Sequence, residues 1–263
     1  MDLDLGGRSA FVSGSTAGIG LAIARSLLRE GADVIINGRD ERRVADAVAG
    51  LRAEFPRADV DGVAADFASD AESTALCDRL PDVDILVNNV GLFEQRAFAD
   101  IDDAAWRHYI DVNVLSGVRL SRRMLPGMID RGWGRVVFVS SESGVDVPGD
   151  MIHYGASKAA VAAIANGLAK LTRGTAVTVN TVLGGPTFSD GVAAAVTAVA
   201  AQSGLPVDDM KRAIIGTRTT TLLERFIEPD EIAAAVTYLA SPRASATNGA
   251  AMRVDGGVLP TVY

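Results

Sequence analysis

Short apolar runs alternate with helix-patterned segments along almost the entire chain, and this alternation limits the fold more than any other feature. Ser9–Ser13, Asp33–Ile36, Val60–Ala64, Ile85–Val87, Arg135–Val139, Val177–Val182 and Ala251–Val254 read as buried strands. Ile19–Arg29, Arg42–Glu54, Trp106–Arg131 (interrupted near Pro126), Gly155–Arg173 and Pro229–Ala240 read as helices, and a further helix follows Asp70. Strands separated by helices with short connections imply βαβ units, right-handed crossovers and a doubly wound parallel sheet with helices on both faces. With 263 residues and 48% hydrophobic side chains, there is material for a single α/β domain spanning residues 1–263. The long irregular stretch at about 184–225 is expected to be a substrate lid, because loops of that length in a compact domain are usually functional.

Composition closes off other classes. The formal net charge is −8 and the longest basic clusters are the pairs Arg42-Arg43 and Arg122-Arg123, so no nucleic-acid partner is expected. A single cysteine, Cys77, rules out an internal disulfide and reads as a small buried hydrophobe. His108 and His153 are too few and too far apart for a zinc motif, so no metal is expected, and His153 reads as a partly exposed loop residue. Trp106 and Trp133 read as packing residues. No run reaches the ~18 apolar residues of a membrane span, and Met1–Leu5 carries no signal-peptide pattern. The expectation is a cytoplasmic protein without a membrane partner.

Two motifs carry chemistry. Gly14-Ser15-Thr16-Ala17-Gly18-Ile19-Gly20 lies at the first strand-to-helix turn with the spacing GxxxGxG. Glycines there allow a tight turn, close approach of backbone to a pyrophosphate, and close helix–sheet packing, with the anion on the helix N-terminus. This makes the predicted sheet Rossmann-type. Tyr154-Gly155-Ala156-Ser157-Lys158 opens a helix and places Lys158 one turn from Tyr154 on the same face. A free phenol is a poor base at neutral pH, and a neighbouring cation favours its phenolate. The pair can therefore exchange a proton with an alcohol or ketone oxygen. With four tyrosines and three lysines in the chain, this spacing arises by chance only about 0.05 times.

These motifs, in this order, resemble those of the short-chain dehydrogenase/reductase family over essentially the whole chain. Ser13 stands where the family usually has Thr before the glycine turn. Asp66-Phe67 falls at the adenine-contacting position. Asn88-Asn89-Val90-Gly91 matches NNAG with Val for Ala, placing Asn89 and Gly91 beside the cofactor. Asn113 matches the helix asparagine of the catalytic tetrad. Ser141, 13 residues before Tyr154, matches the catalytic serine, with Ser143 as the alternative register. Gly184-Gly185-Pro186-Thr187 occupies the PG-x-T segment, putting Gly185 and Thr187 near the nicotinamide, and Asp255-Gly256-Gly257 matches the C-terminal DGG.

The resemblance implies hydride transfer between a nicotinamide and a carbonyl/secondary alcohol substrate. Tyr154 is the general acid/base. Lys158 lowers its pKa and binds the ribose, Ser141 holds the substrate oxygen, and Asn113 positions a proton-relaying water. Gly14, Ser15, Thr16, Gly18, Ile19 and Gly20 are expected to cradle the pyrophosphate. At the end of the second strand, Ile36-Asn37-Gly38-Arg39-Asp40 has glycine where an NAD site carries a carboxylate, and Arg39 can take a 2′-phosphate. NADP(H) is therefore the expected cofactor, with Arg39 the one arginine in its phosphate site. NAD(H) is the alternative if Asp40 turns inward instead of capping the next helix. Glu142, Asp146 and Asp150 read as a solvated acidic loop. Two other functions stay open. One is 3-oxoacyl-[acyl-carrier-protein] reductase, with Arg122, Arg123, Arg131 and Lys170 as a docking surface; the other is a non-catalytic cofactor-binding protein. The family also implies a homotetramer or homodimer.

Overall fold

The computed structural model describes residues 2–216 and 221–262. Seven strands, β1 (Ser9–Val12), β2 (Asp33–Gly38), β3 (Val60–Ala64), β4 (Ile85–Asn88), β5 (Trp133–Ser141), β6 (Ala176–Gly184) and β7 (Ala251–Val254), form one sheet in the order β3-β2-β1-β4-β5-β6-β7. Every neighbouring pair is parallel. The helices are α1 (Gly18–Arg29), α2 (Glu41–Glu54), α3 (Asp70–Arg79), α4 (Asp103–Tyr109), α5 (Ser116–Asp130), α6 (Ile152–Leu171), α7 (Asp190–Ser203), α8 (Val207–Gly216) and α9 (Pro229–Ala240).

Strand parity builds both layers. Ala10, Val12, Val34, Ile36, Ile85 and Val87 face α1 and α9, where Ile23, Leu27, Ile232, Val236 and Leu239 are buried. Phe11, Leu86, Val136 and Phe138 face the opposite way, onto Leu120, Met124 and Met128 of α5 and Val161 and Ala165 of α6. Both faces are apolar, so the strands read as continuous hydrophobic runs. A one-residue slip would exchange the two sets. The order of the sheet reverses at β1 and β4, which opens a crevice beyond their C-terminal ends. At the other end, Arg135 is buried and donates to the carbonyls of Ser241, Gly134 and Ala176 at 3.1, 2.9 and 2.7 Å. Its guanidinium and that of Arg8 both lie over Trp133, at 4.5 and 3.8 Å.

Two predicted segments differ. The run 106–131 is not one helix broken at Pro126. It is α4, a π-helical turn at Ile110–Leu115, and α5, which continues through Pro126. Pro126 lies on the exposed face, where the carbonyl it leaves unbonded meets solvent. The stretch 184–225 is not irregular but carries α7 and α8. Its glycines mark helix ends rather than coil: Gly204 takes φ 66° to close α7, and Gly216 is the last residue of α8. Val196, Ala200, Met210, Ile215 and Phe226 form a separate small apolar cluster beneath these helices. Residues 217–220 of the predicted lid lie outside the described residues. Among the described residues, no helix is long and apolar enough to cross a membrane.

Candidate active site

A cleft of about 430 Å³ opens at the crevice beyond β1 and β4. Gly14, Thr16, Gly18, Ile19 and Gly20 from the glycine turn line it, with Arg39, Asp66, Phe67, Asn89, Gly91, Tyr154 and Lys158. Gly14 and Gly18 adopt φ 61° and 56°, a region that favours glycine. A Cβ on Gly20 would fall 2.2 Å from the Gly14 carbonyl oxygen. The turn is thus a cradle that side chains would fill. Ala17 caps α1 without a side-chain acceptor, so first-turn N–H groups remain for an anion. One of them, Gly18 N–H, donates to Asp190 Oδ2 at 2.5 Å.

Buried polar side chains fix this cradle. Ser13 Oγ accepts from Asn89 and Val90 N–H at 3.0 and 3.1 Å and donates to the Val87 carbonyl at 3.3 Å. Asn89 Nδ2 donates to the carbonyls of Ser13 and Gly14 at 3.0 and 2.9 Å. Asn37, which sequence reading gave no role, accepts from Gly14 N–H at 3.1 Å and donates to the Val63 carbonyl at 3.1 Å. Its signal was an amide inside an otherwise apolar strand. Ser15 does not reach the cleft: its buried hydroxyl donates to the Val12 carbonyl at 2.6 Å and accepts from Asn37 N–H at 2.9 Å.

At the β2 end of the cleft, Asp40 caps α2 by accepting from Arg43 N–H at 2.8 Å. That leaves two exposed arginines, Arg39 and Arg43, on the cleft wall. The second was missed, although it stands one helical turn from the first. Neither has an ion-pair partner among the described residues.

Tyr154 lies in the first turn of α6, which begins at Ile152 rather than Gly155. Lys158 Nζ sits 5.8 Å from the centre of the Tyr154 ring and donates to the Val139 carbonyl at 3.0 Å. Burial pulls the Lys158 ammonium down to about 8. A Cβ on Gly91 would approach Nζ to 3.0 Å, which accounts for the glycine there. Asn113, on the π-helical turn, is buried and does not line the cleft. It accepts from Leu92 N–H at 2.7 Å and donates to the Leu92 carbonyl and Ser157 Oγ at 3.0 and 2.9 Å.

Ser141 also does not line the cleft; its Oγ donates to Glu142 Oε2 at 2.5 Å and accepts from Ser143 N–H at 3.1 Å. Glu142 is only 5% exposed, so the acidic stretch is not all solvated. Gly185 and Thr187 stand apart from the cleft wall as well. A Cβ on Gly185 would fall 2.6 Å from the Asp255 carbonyl oxygen, and Thr187 Oγ1 turns back to the Gly185 carbonyl at 2.9 Å. Ser189, Asp190 and Gly191 line the cleft in their place.

Other expectations are corrected. His153 is not a loop residue but a fully buried member of α6. Among the described residues neither ring nitrogen has a hydrogen-bond partner, and the ring packs edge-on against Tyr109 at 4.1 Å and Trp106 at 6.2 Å. Burial holds it below the ordinary histidine value, against the opposing pull of Glu94 at 4.0 Å. Cys77 is half-buried, at the edge of the core under α5.

A parallel seven-stranded sheet, a glycine cradle at its switch point and a Tyr–Lys pair at the other end of one cleft define a nucleotide-dependent oxidoreductase fold. Residues 8–199 match the short chain dehydrogenase family model, and the chain belongs to that family. It is 43% identical to the uncharacterized oxidoreductase YvaG of Bacillus subtilis, over 100% of both chains. It is 33% identical to D-beta-hydroxybutyrate dehydrogenase of Cupriavidus necator, over 96% of this chain and 98% of that one. Among solved structures, L-sorbose reductase of Gluconobacter frateurii, complexed with NADPH and L-sorbose, superposes with a TM-score of 0.94 at 29% identity, covering 100% of each chain.

Proposed function

We propose that this oxidoreductase interconverts a ketone and a secondary alcohol with NADP(H), and that Tyr154 is its general acid/base. The observation that carries this reading is the Tyr154–Lys158 pair in the same cleft as the glycine cradle. A bound nicotinamide dinucleotide would supply or accept the hydride. The glycine turn and the first-turn N–H groups of α1 would hold its pyrophosphate. Arg39 and Arg43 would take the 2′-phosphate, beside Asp40, one of whose oxygens caps α2. The NADPH complex of the sorbose reductase supports the same cofactor.

Tyr154 gives its hydroxyl proton to the carbonyl oxygen in reduction and recovers it from the alcohol in oxidation. Lys158, protonated at neutral pH with a value of about 8, favours the phenolate form of Tyr154 by its charge. Asn113 holds the Leu92 backbone and Ser157 in place behind the pair. The second reading, 3-oxoacyl-[acyl-carrier-protein] reductase, needs a basic docking surface. Of its candidates, Arg123 and Arg131 are both paired with Asp82, at 2.7 and 2.9 Å, while Arg122 and Lys170 are exposed. For assembly, α5 and α6 share an apolar groove lined by Leu125, Ile129, Ile164 and Leu168, with Leu171 64% exposed at its rim. This supports a homotetramer or homodimer closed across that face, and a monomer by light scattering at micromolar concentration would overturn it.

The test of function is a panel of ketones reduced with NADPH by the wild type and by Tyr154→Phe. Turnover should be lost in the variant while NADPH affinity stays within about twofold, since only the transferable proton is removed. Equal turnover in the two proteins would defeat the reading and leave a cofactor-binding protein without this chemistry.

A further inference from the structure

The start of α7 crosses the cleft and touches both of its walls. On one side, Asp190 Oδ2 accepts from Gly18 N–H at 2.5 Å, and a Cβ on Gly18 would lie 3.4 Å from the Ser189 Cβ. On the other, a Cβ on Gly191 would lie 3.8 Å from the Phe93 ring. Ser189, Asp190, Gly191 and Phe93 line the cleft together with the glycine turn. Asp190 is the first residue of α7, yet its carboxylate reaches the first turn of another helix, α1, at the end where backbone N–H groups and the helix dipole favour an anion. Beyond that contact, α7 and α8 rest on a small apolar cluster separate from the two that cover the sheet. The start of α7 can therefore shift without opening the main core.

We propose that Asp190 is an internal counter-ligand of the glycine cradle, a carboxylate that the pyrophosphate of the dinucleotide must displace. This rests on the reading above, in which the glycine turn holds that pyrophosphate. Both groups are anions and both use the positive end of α1, so a phosphate seated there and a carboxylate on Gly18 N–H oppose one another. Cofactor affinity is then reduced in proportion to the fraction of molecules in which Asp190 has left the turn. A hydrogen bond to a charged group corresponds to roughly 10–100-fold in an equilibrium, and exposure of this one puts it at the low end. NADPH and NADH carry the same pyrophosphate, so the reduction is common to both. That separates Asp190 from Arg39 and Arg43, which act on the 2′-phosphate alone. Seating the dinucleotide also frees the start of α7 from the glycine wall of the cleft.

The test compares the wild type with Asp190→Asn, which keeps the shape and removes the charge, and Asp190→Ala, which removes the contact. Dissociation constants for NADPH, NADH and adenosine 2′-monophosphate are measured by isothermal titration, and association rates for NADPH by stopped flow. Thermal midpoints confirm that each variant is folded, and where Asp190→Ala is not, Asp190→Asn carries the comparison. Both variants should bind NADPH and NADH more tightly, by roughly 5–10-fold and by a similar factor for each. The gain should lie in the association rate, because release of the carboxylate no longer precedes seating. Adenosine 2′-monophosphate, which has the 2′-phosphate but no pyrophosphate, should bind all three proteins alike. Weaker cofactor binding in the variants would make Asp190 a clamp that retains the dinucleotide, and that overturns the proposal. So does unchanged binding, or an equal gain for adenosine 2′-monophosphate, which would reduce the effect to net charge. Failure of the wild type and both variants to bind either dinucleotide removes the proposal together with the reading it rests on.

Discussion

Lys158→Met should make the protein more stable at neutral pH while destroying its activity. Lys158 is 5% exposed, and among the described residues its Nζ donates one hydrogen bond, to the Val139 carbonyl, and has no ion-pair partner. Burial lowers its value from 10.5 to about 8. Carrying the charge into the folded state at pH 7 therefore costs about 3 kcal/mol relative to the unfolded chain. Methionine fills a similar volume without charge. Loss of the bond to Val139 offsets about 1–2 kcal/mol of the gain. The net expectation is about 1–2 kcal/mol, or a thermal midpoint raised by roughly 2–8 °C.

The pH dependence gives the sharper test. Below pH 8 the lysine is protonated in both states and the cost is complete. Between about 8 and 10.5 the folded protein sheds the proton while the unfolded chain keeps it, so the wild type gains stability as pH rises and the cost disappears. Scanning calorimetry of the cofactor-free proteins from pH 7 to 10.5 should show the advantage of the variant shrinking across that window and then reversing. A variant less stable than wild type at pH 7, with a gap that does not change with pH, would refute the reasoning.

Arg39→Ala and Arg43→Ala should each weaken NADPH binding by roughly 10-fold or more and change NADH binding little, by isothermal titration; equal losses for both cofactors would place the arginines elsewhere. Ser13→Ala should cost about 2–4 kcal/mol, since Asn89 and Val90 N–H both lose their acceptor, whereas Ser13→Thr should retain the wild-type midpoint. Because burial depresses His153, the unfolded chain takes up a proton that the folded one resists as pH falls below about 6.5. The wild type should therefore lose up to about 1.4 kcal/mol per pH unit there, a loss that His153→Phe should reduce in denaturation at pH 5.5 against 7.5.

The seven strands were legible because both faces of the sheet are covered, which makes each strand an apolar run bounded by polar turns. The glycine turn and the Tyr–Lys pair were legible because their spacing is itself the geometry. What escaped is what tertiary contact decides. Arg43 joins Arg39 only because Asp40 starts α2 where it does. Ser15 was grouped with its neighbours although strand-end hydrogen bonds turn it inward. Gly185 and Thr187 sit near the cleft in sequence, yet Asp255 packs against one and the other bonds back to it. His153 looked exposed because a polar residue beside a loop usually is, and the aromatic pocket of Tyr109 and Trp106 comes from a segment more than 40 residues earlier. The lid helices were hidden by counting glycines without asking where a helix would end.

The π-helical turn at Ile110–Leu115 also sets the angular phase of everything after it. Such a turn fits an extra residue into the helical path, so the side chains of α5 point about 100° away from where α4 would have sent them. Leu120, Met124 and Met128 reach the sheet in that shifted phase. Deleting any one residue of the turn would restore an unbroken α-helix and swing those three side chains off the core together. The position that sets the phase is also the one that presents Asn113 to Leu92 and Ser157. In this stretch, the rotation of a helix and the placement of an active-site amide are a single degree of freedom.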